Sequence, residues 1–595
     1  MTTESQVAEP SHTTRGTARA VPLYFGPHDR PLFGWFHPPK EEKARLRVLL
    51  CPPLGYEGLF AHPTLKLLAE ALADHGMAVL RFDLDGTGDS AGSGADPQRV
   101  ESWIESIVAA DEESRRMAGD LPLAIVGMRA GALLAVEASR RLEGVDCLVL
   151  WAPVTRGRAF MREQKAFASM AVATAATSEQ SPAVEGGIEA YGYFFSDETS
   201  EDLGGLDLRK YPQPPATRTL VLWRDDVEDR RSDLKHWAGR DDVQEGEATG
   251  YAAMMEPPIS METPRKALDT VCGFVQGSAA THPPAGPRVP AEFRTEARVA
   301  PGVIERVVWY DPGQDLFGVL TLPEGKEARR LLVLLNNAAG YRVGPHSLNP
   351  PLARHLAEHG IATFRVDLGG VGDSRLPPGR DAHHVYGLDS IDDVRHAVDF
   401  ARTQGLRDIY LGGLCSGAFL AWHAALTLEG IAGLSLWNLQ LFEWNENISL
   451  DVSPLDLQYE TNHYRKSLKS GSSWKKLFSG QVNVRYVLGV AFRFVGYQAT
   501  SQLQRLRSSV GFLSSRTEIG TALRQLHGSG TRVHFIFADR DPGLANLRSE
   551  VAGEWKRLLR NERMHVAIVE GSDHSFTPGW ASRALHDLVK ESLEV

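Results

Sequence analysis

The sequence predicts an α/β protein of two tandem units, each a mostly parallel sheet covered by helices. Three observations predict it. Residues 68–90 read LAEALADHGMAVLRFDLDGTGDS and residues 352–374 read LARHLAEHGIATFRVDLGGVGDS, so one block of helix, strand and Gly-rich turn occurs twice. Phe33-Gly34 and Phe317-Gly318 keep the same offset, which carries the repeat back to the start of each half. Each half also alternates apolar, β-rich runs with amphipathic stretches, the pattern of parallel strands buried on both faces. A chain of 595 residues is in any case too long for one hydrophobic core.

Taken in order, residues 1–20 are expected to be a disordered tail and 21–275 the first unit. Residues 276–295 are expected to be an extended linker, because Gly277-Ser278-Ala279-Ala280, Pro283-Pro284, Pro287 and Pro290 crowd there. The second unit covers 296–595, with strands expected at 331–336, 362–368, 408–414, 431–437, 532–538 and 564–570. A helical insertion of about 440–521 has the size and position of a lid.

Composition narrows the function classes. Hydrophobic residues make up 43% and charged residues 23%, as in ordinary globular proteins. A formal net charge of -11 argues against nucleic acid as a partner. The opening Met1-Thr2-Thr3-Glu4-Ser5 is polar, and no apolar run is long enough to span a bilayer, so a cytoplasmic protein without a membrane span is expected. Cys51, Cys147, Cys272 and Cys415 are scattered, which suits a reducing compartment and gives no metal-site spacing. No cofactor is expected.

The chemistry concentrates in Gly413-Leu414-Cys415-Ser416-Gly417, which follows the strand-like Asp408-Ile409-Tyr410-Leu411-Gly412 and precedes a helix-like run from Ala418. A G-x-S-x-G turn between strand and helix exposes a nucleophile, here with cysteine in the serine's place. Glycines on both sides spare a Cβ where strand and helix meet, and a helix N-terminus beneath the sulfur favours the thiolate. The competing reading is a buried structural cysteine beside a Gly-rich turn.

Two later loops supply partners. The apolar run Thr531-Arg532-Val533-His534-Phe535-Ile536-Phe537-Ala538 ends at Asp539-Arg540-Asp541-Pro542-Gly543, and Gly571-Ser572-Asp573-His574-Ser575-Phe576 follows the last expected strand. The order Cys, Asp, His is that of a triad assembled from successive strand ends. Cys415 is therefore the candidate nucleophile, His574 the general base and Asp541 the carboxylate that orients the imidazole. Asp539 stays open as the acid, because spacing does not separate the two. For the oxyanion hole the candidates are the N–H groups of Ser416 and Ala338, with Ala339 close behind, each such donor being worth about 3 kcal/mol.

The first half keeps the turn and loses the chemistry. Arginine stands at the nucleophile position of Gly127-Met128-Arg129-Ala130-Gly131, and no histidine lies between His236 and His282. Its strand 219–223 still reaches Asp225 and Asp226. The expected role is structural, with Arg129 paired to one of those aspartates; the sharper alternative is an anion held by Arg129 at a helix N-terminus.

On Pro52-Pro53-Leu54-Gly55-Tyr56-Glu57 and residues 81–90, then 336–341, 365–374, 413–417 and Asp573-His574-Ser575-Phe576, both halves resemble the α/β-hydrolase superfamily. The resemblance is greatest to bacterial serine-aminopeptidase-like hydrolases that include the exosortase-A-system-associated hydrolases. It implies two tandem α/β-hydrolase domains, the first a pseudo-hydrolase. Cysteine for serine at position 415 is a departure, but dienelactone hydrolases, a related family, also carry a Cys, Asp, His set.

A cysteine acyl-enzyme is itself a thioester, so exchange with coenzyme A or a carrier-protein phosphopantetheine is nearly isoenergetic. The intermediate then keeps its energy for an amine, alcohol or water acceptor. The expected activity is cysteine-dependent acyl transfer or thioester hydrolysis on a small acyl substrate, donated by acyl-CoA or an acyl carrier protein. Within the insertion, Tyr464-Arg465-Lys466-Ser467-Leu468-Lys469 and Trp474-Lys475-Lys476 are basic, and Val487-Leu488-Gly489-Val490-Ala491-Phe492 is apolar, which suits phosphates and an acyl chain. Plain hydrolysis of esters, lactones or amides and a noncatalytic scaffold are the alternatives.

Overall fold

The computed structural model describes residues 19–594 except 42, 176–183, 228–230, 257–259, 286–291, 339, 381–384, 445–517 and 552–561. The first half supplies β1 (Val21–Phe25), β2 (Leu32–His37), β3 (Arg47–Cys51), β4 (Ala78–Phe82), β5 (Leu123–Met128) and β6 (Val145–Trp151). A separate hairpin follows, β7 (Gly187–Ala190) and β8 (Tyr193–Ser196), then β9 (Arg218–Arg224) and β10 (Val243–Ala248). The second half supplies β11 (Glu296–Ala300), β12 (Val303–Trp309), β13 (Phe317–Pro323), β14 (Arg330–Leu334) and β15 (Ala362–Val366). It ends with β16 (Asp408–Leu414), β17 (Ile431–Trp437), β18 (Arg532–Ala538) and β19 (Met564–Val569).

Two large sheets result, ordered β1-β2-β4-β3-β5-β6-β9-β10 and β11-β12-β13-β15-β14-β16-β17-β18-β19. In each, the strands that enter first pair antiparallel and the rest pair parallel. From β2 and from β13 onward the two orders are the same, so the repeat read in the sequence is a repeat of topology. The fold is α/β, with apolar clusters on both faces of each sheet.

The strands expected at 408–414, 431–437 and 532–538 coincide with β16, β17 and β18. β14 stops at Leu334, two residues short of the expected end, because Asn336 turns its side chain to the loops: its Nδ2 donates to Gly340 O at 2.9 Å and its Oδ1 accepts from Leu368 N at 2.8 Å. The antiparallel strands β11 to β13 escaped the sequence reading. In β12 the buried face carries Val303, Glu305 and Val307, and a carboxylate among the apolar residues hides the alternation. The linker starts later than expected: residues 276–279 are the last turn of the helix Arg265–Ala279, held there because Ser278 is buried and its hydroxyl donates to Asp146.

The halves pack through the repeated turn itself. Arg81 donates to Asp373 at 2.5 Å, and its counterpart Arg365 donates to Asp89, the counterpart of Asp373. The exchange is reciprocal, as across a two-fold axis. Arg342 adds ion pairs with Asp89 at 2.6 Å, Asp367 at 2.8 Å and Asp373 at 2.7 Å. All these side chains are buried, so their charges are tolerated only because each is paired. Beside them Trp35 meets Phe317 edge-on with centroids 4.7 Å apart, in an apolar cluster shared by both halves.

Candidate active site

Cys415 stands between β16 and the helix Ser416–Thr427 at φ 55°, ψ -112°. Such a conformation costs a non-glycine residue of order 1–3 kcal/mol, so its surroundings must enforce it. The flanking glycines permit the close approach: a Cβ on Gly417 would lie 2.7 Å from Leu335 O and 2.8 Å from Asn336 O. The sulfur is half-buried.

Asp541 leaves the end of β18 as the N-cap of the helix Pro542–Glu550, where its Oδ1 accepts from Gly543 N at 2.8 Å. Its Oδ2 accepts from His574 Nδ1 at 2.5 Å. Nε2 of the ring is thereby left for the thiol. Burial pushes the Cys415 thiol up, but the charge of His574 and hydrogen bonds from His574 and Tyr386 outweigh it and bring it below its ordinary value. Burial would lower His574, yet the Cys415 charge and the bond to Asp541 raise it to about 10. Both shifts favour one state, a thiolate beside an imidazolium.

The structure thus brings Cys415, His574 and Asp541 together and sends Asp539 elsewhere. Asp539 Oδ1 accepts from Gly571 N at 3.1 Å, tying two loops. Asp225 does the same in the first half, accepting from Gly250 N at 2.8 Å. Counting from the ends of β9 and β18, Val227 occupies the position of Asp541.

Ser416 and Ala338 are adjacent, but the Ala338 N–H expected to face substrate donates to the Ser416 hydroxyl at 2.7 Å. The positive φ of 46° at Ala338 turns this N–H toward the elbow. Ala339 lies outside the described residues, as do the basic and apolar stretches of the expected lid. Of that insertion, Gln440 reaches the site: its Nε2 lies 3.1 Å from His574 Nδ1 and 3.4 Å from Asp541 Oδ2. Residues 518–521 begin the helix Glu518–Gly528, which packs on the core through Ile519.

Tyr386 is a site residue that sequence reasoning missed. Its hydroxyl lies 3.6 Å from Cys415 Sγ, and its ring stacks on Trp444 at 4.8 Å and meets Phe419 edge-on at 5.1 Å. It comes from the loop before the 3-10 turn Leu388–Ser390, where nothing in the local sequence marks it. Asn438, just past β17, donates to His574 O at 2.7 Å and accepts from Ala538 N at 2.8 Å.

At the first elbow Arg129 adopts φ 54°, ψ -120°, the conformation of Cys415. Its partners are not Asp225 or Asp226: Nε donates to Glu57 at 2.6 Å and Nη2 to Glu163 at 2.7 Å. Asp226 instead pairs with Arg224 at 2.7 Å. Tyr251 lies beside Arg129, with the guanidinium 5.9 Å from the ring centroid, and its hydroxyl donates to Glu57 at 2.9 Å. Two carboxylates already neutralise Arg129, so the anion expected as the alternative has no vacant charge to meet.

A cleft of about 1240 Å³ between the halves contains none of Cys415, Asp541 and His574. Among the described residues no group of His, Cys, Asp and Glu could hold a metal ion, and no helix is long and apolar enough to cross a membrane.

Residues 62–188 match the family model for serine aminopeptidase, S33. Est1E from Butyrivibrio proteoclasticus is 13% identical with a TM-score of 0.32, the alignment covering 44% of this chain and 99% of that one. A dienelactone hydrolase from Anabaena variabilis is 15% identical with a TM-score of 0.29, over 49% of this chain and 98% of that one. An alpha-beta serine hydrolase homologue from Coxiella burnetii is 15% identical with a TM-score of 0.29, over 49% and 96%. No curated protein matches. The sheet order is that of an α/β fold, and the family match covers residues 62–188 alone. The matched segment includes the elbow that carries Arg129.

Proposed function

We propose that the chain is a tandem α/β-hydrolase protein whose second half transfers acyl groups through a thioacyl-enzyme on Cys415, while the first half is a degenerate copy without chemistry. The observation that carries this reading is the bond from His574 Nδ1 to Asp541 at 2.5 Å, together with the lowered thiol of Cys415. The thiolate attacks the carbonyl of an acyl thioester, the donor C–S bond breaks, and the leaving thiol takes its proton from His574. His574 then removes the proton of an amine, alcohol or water, which attacks the thioacyl carbon and releases Cys415. The Ser416 N–H faces the developing oxyanion, joined by the Ala338 N–H once the Ser416 hydroxyl turns away. Coenzyme A or a carrier protein supplies the acyl group. Tyr386 donates to the thiolate.

Hydrolysis of an ester, lactone or amide by the same residues is the second reading, and the match of residues 62–188 to a serine aminopeptidase family favours it. Intact-mass measurement after incubation with a panel of acyl thioesters tests the proposal, which expects an acyl adduct on Cys415. Cys415→Ser separates the readings: conversion of transfer into hydrolysis supports the thioester route, and unchanged hydrolysis supports the second. If acyl thioesters, a fluorophosphonate and a mild alkylating agent all leave Cys415 unlabelled, the protein is a scaffold.

A further inference from the structure

The hairpin of the first half ends at the loop that carries His574. Tyr191 and Gly192 form its two-residue turn, both with positive φ, at 51° and 77°, as a type I′ turn requires. Strand periodicity puts Ala190 and Phe195 on the face buried in the first half, where Phe195 meets Phe160 at 6.0 Å, and puts Glu189 on the other face. There Glu189 accepts from Gly579 N at 3.0 Å through Oε1 and 3.1 Å through Oε2. Gly579 opens the helix Gly579–Glu594, so a carboxylate of one half caps a helix of the other. The turn lies equally close: a Cβ on Gly192 would stand 2.8 Å from His346 Cβ and from Thr577 O.

Between His574 and Gly579 the chain is held from several sides. Asn438 holds His574 O, His346 Nε2 holds Ser575 O at 2.9 Å, and Ser582 donates to Phe576 O at 2.7 Å. Phe576 is fully buried at φ 53°, a conformation that survives only if both ends of the loop are fixed. Glu189 fixes the far end, and Gly192 packs on the His346 that fixes the middle. Tyr193 closes the contact through a hydrogen bond with Ser347.

We infer that the first half acts on the active site of the second through this hairpin, with Glu189 as a positioning residue for His574. The inference rests on the reading of Cys415 and His574 as a reacting pair. The half without a nucleophile thereby holds the imidazole of its neighbour in register with the thiol.

The test is the pH profile of Cys415 alkylation by iodoacetamide in the full-length protein, read by peptide mass. The other three cysteines are suited to this, since burial raises Cys147 to about 12 and Cys272 to about 11 and lifts Cys51 further. Glu189→Ala is expected to slow alkylation at pH 7 by about threefold or more, the scale of a lost helix cap, and to move the profile toward that of a free thiol. Glu189→Gln keeps an acceptor for Gly579 N–H and is expected to stay within about twofold of wild type. A profile unchanged in Glu189→Ala, where His574→Ala shifts it, overturns the role of the hairpin. A profile unchanged in His574→Ala overturns the underlying pair and the inference with it. If Glu189→Ala does not fold, Glu189→Asp, whose carboxylate falls one methylene short of Gly579 N, decides through its split of KM and kcat: a fall in kcat with KM constant supports positioning, and no change in either overturns it.

Discussion

Replacing Asp541 by Asn separates the chemistry of the site from its folding. Asparagine caps a helix as well as aspartate, so the bond from Gly543 N to Oδ1 survives and the thermal midpoint stays near wild type. That bond also fixes the amide: with its oxygen on Gly543, its NH2 faces His574 Nδ1 and forces the proton to Nε2. The ring then cannot accept the proton of Cys415. The thiol returns to its ordinary value near 8.5, leaving about 3% thiolate at pH 7, so alkylation of Cys415 falls about 30-fold there. Turnover, which needs the base twice, falls by about 10³–10⁴. The assay is alkylation against pH beside turnover of an acyl thioester or ester, with Asp539→Asn as the contrast. Asp539 ties Gly571 N and pairs with Arg540, away from the imidazole, so its variant keeps the wild-type profile. Full activity in Asp541→Asn, or its loss in Asp539→Asn alone, refutes the assignment of the acid.

Tyr386→Phe removes the hydroxyl 3.6 Å from the sulfur and is expected to raise the apparent thiol value and lower turnover by about tenfold, the scale of one hydrogen bond to a charged group; an unmoved profile removes Tyr386 from the site. Arg129→Ala leaves Glu57 buried without its cation and is expected to lower stability by about 3–5 kcal/mol in denaturant unfolding, while the alkylation profile of Cys415 is unchanged. Acid should unfold the protein through histidines buried neutral. Burial lowers His37 to about 3 and His534 and His586 to about 4, each helped by a neighbouring cation or histidine. Their folded values lie below the ordinary 6.5, so the unfolded chain binds more protons and stability falls as pH drops from about 6.5 toward 4; each contributes about 2 kcal/mol between pH 7 and pH 5. Equal unfolding free energies at those two pH values would contradict this, and His37→Gln should flatten the slope.

The elements that the sequence revealed most clearly are those whose signal is local. β16, β17 and β18 are continuous apolar runs buried on both faces, and their limits follow from composition. The elbow is legible because its two glycines and the strand and helix that flank it all fall within a few residues, although Gly417 makes room for Leu335 and Asn336 from the end of another strand, and the repeat because most of its letters recur in order. β12 was hidden by Glu305, which is buried for the sake of Arg365 and Arg354 from elsewhere in the chain. Tyr386 and Gln440 were hidden for the same reason: each belongs to the site through a partner far along the chain.

What the sequence by itself determined is the α/β class, the twofold repeat, and which half retains a Cys, an Asp and a His at successive strand ends. These follow from hydrophobic periodicity and from turn chemistry, which act over a few residues. Only the tertiary structure decided which aspartate faces the imidazole, what neutralises Arg129, and that Glu189 of one half caps the helix behind His574 of the other. A carboxylate two residues nearer or farther along a turn looks the same in sequence, but hydrogen bonds fall off within an ångström, and only the packed sheet brings Nδ1 to one oxygen and not the other.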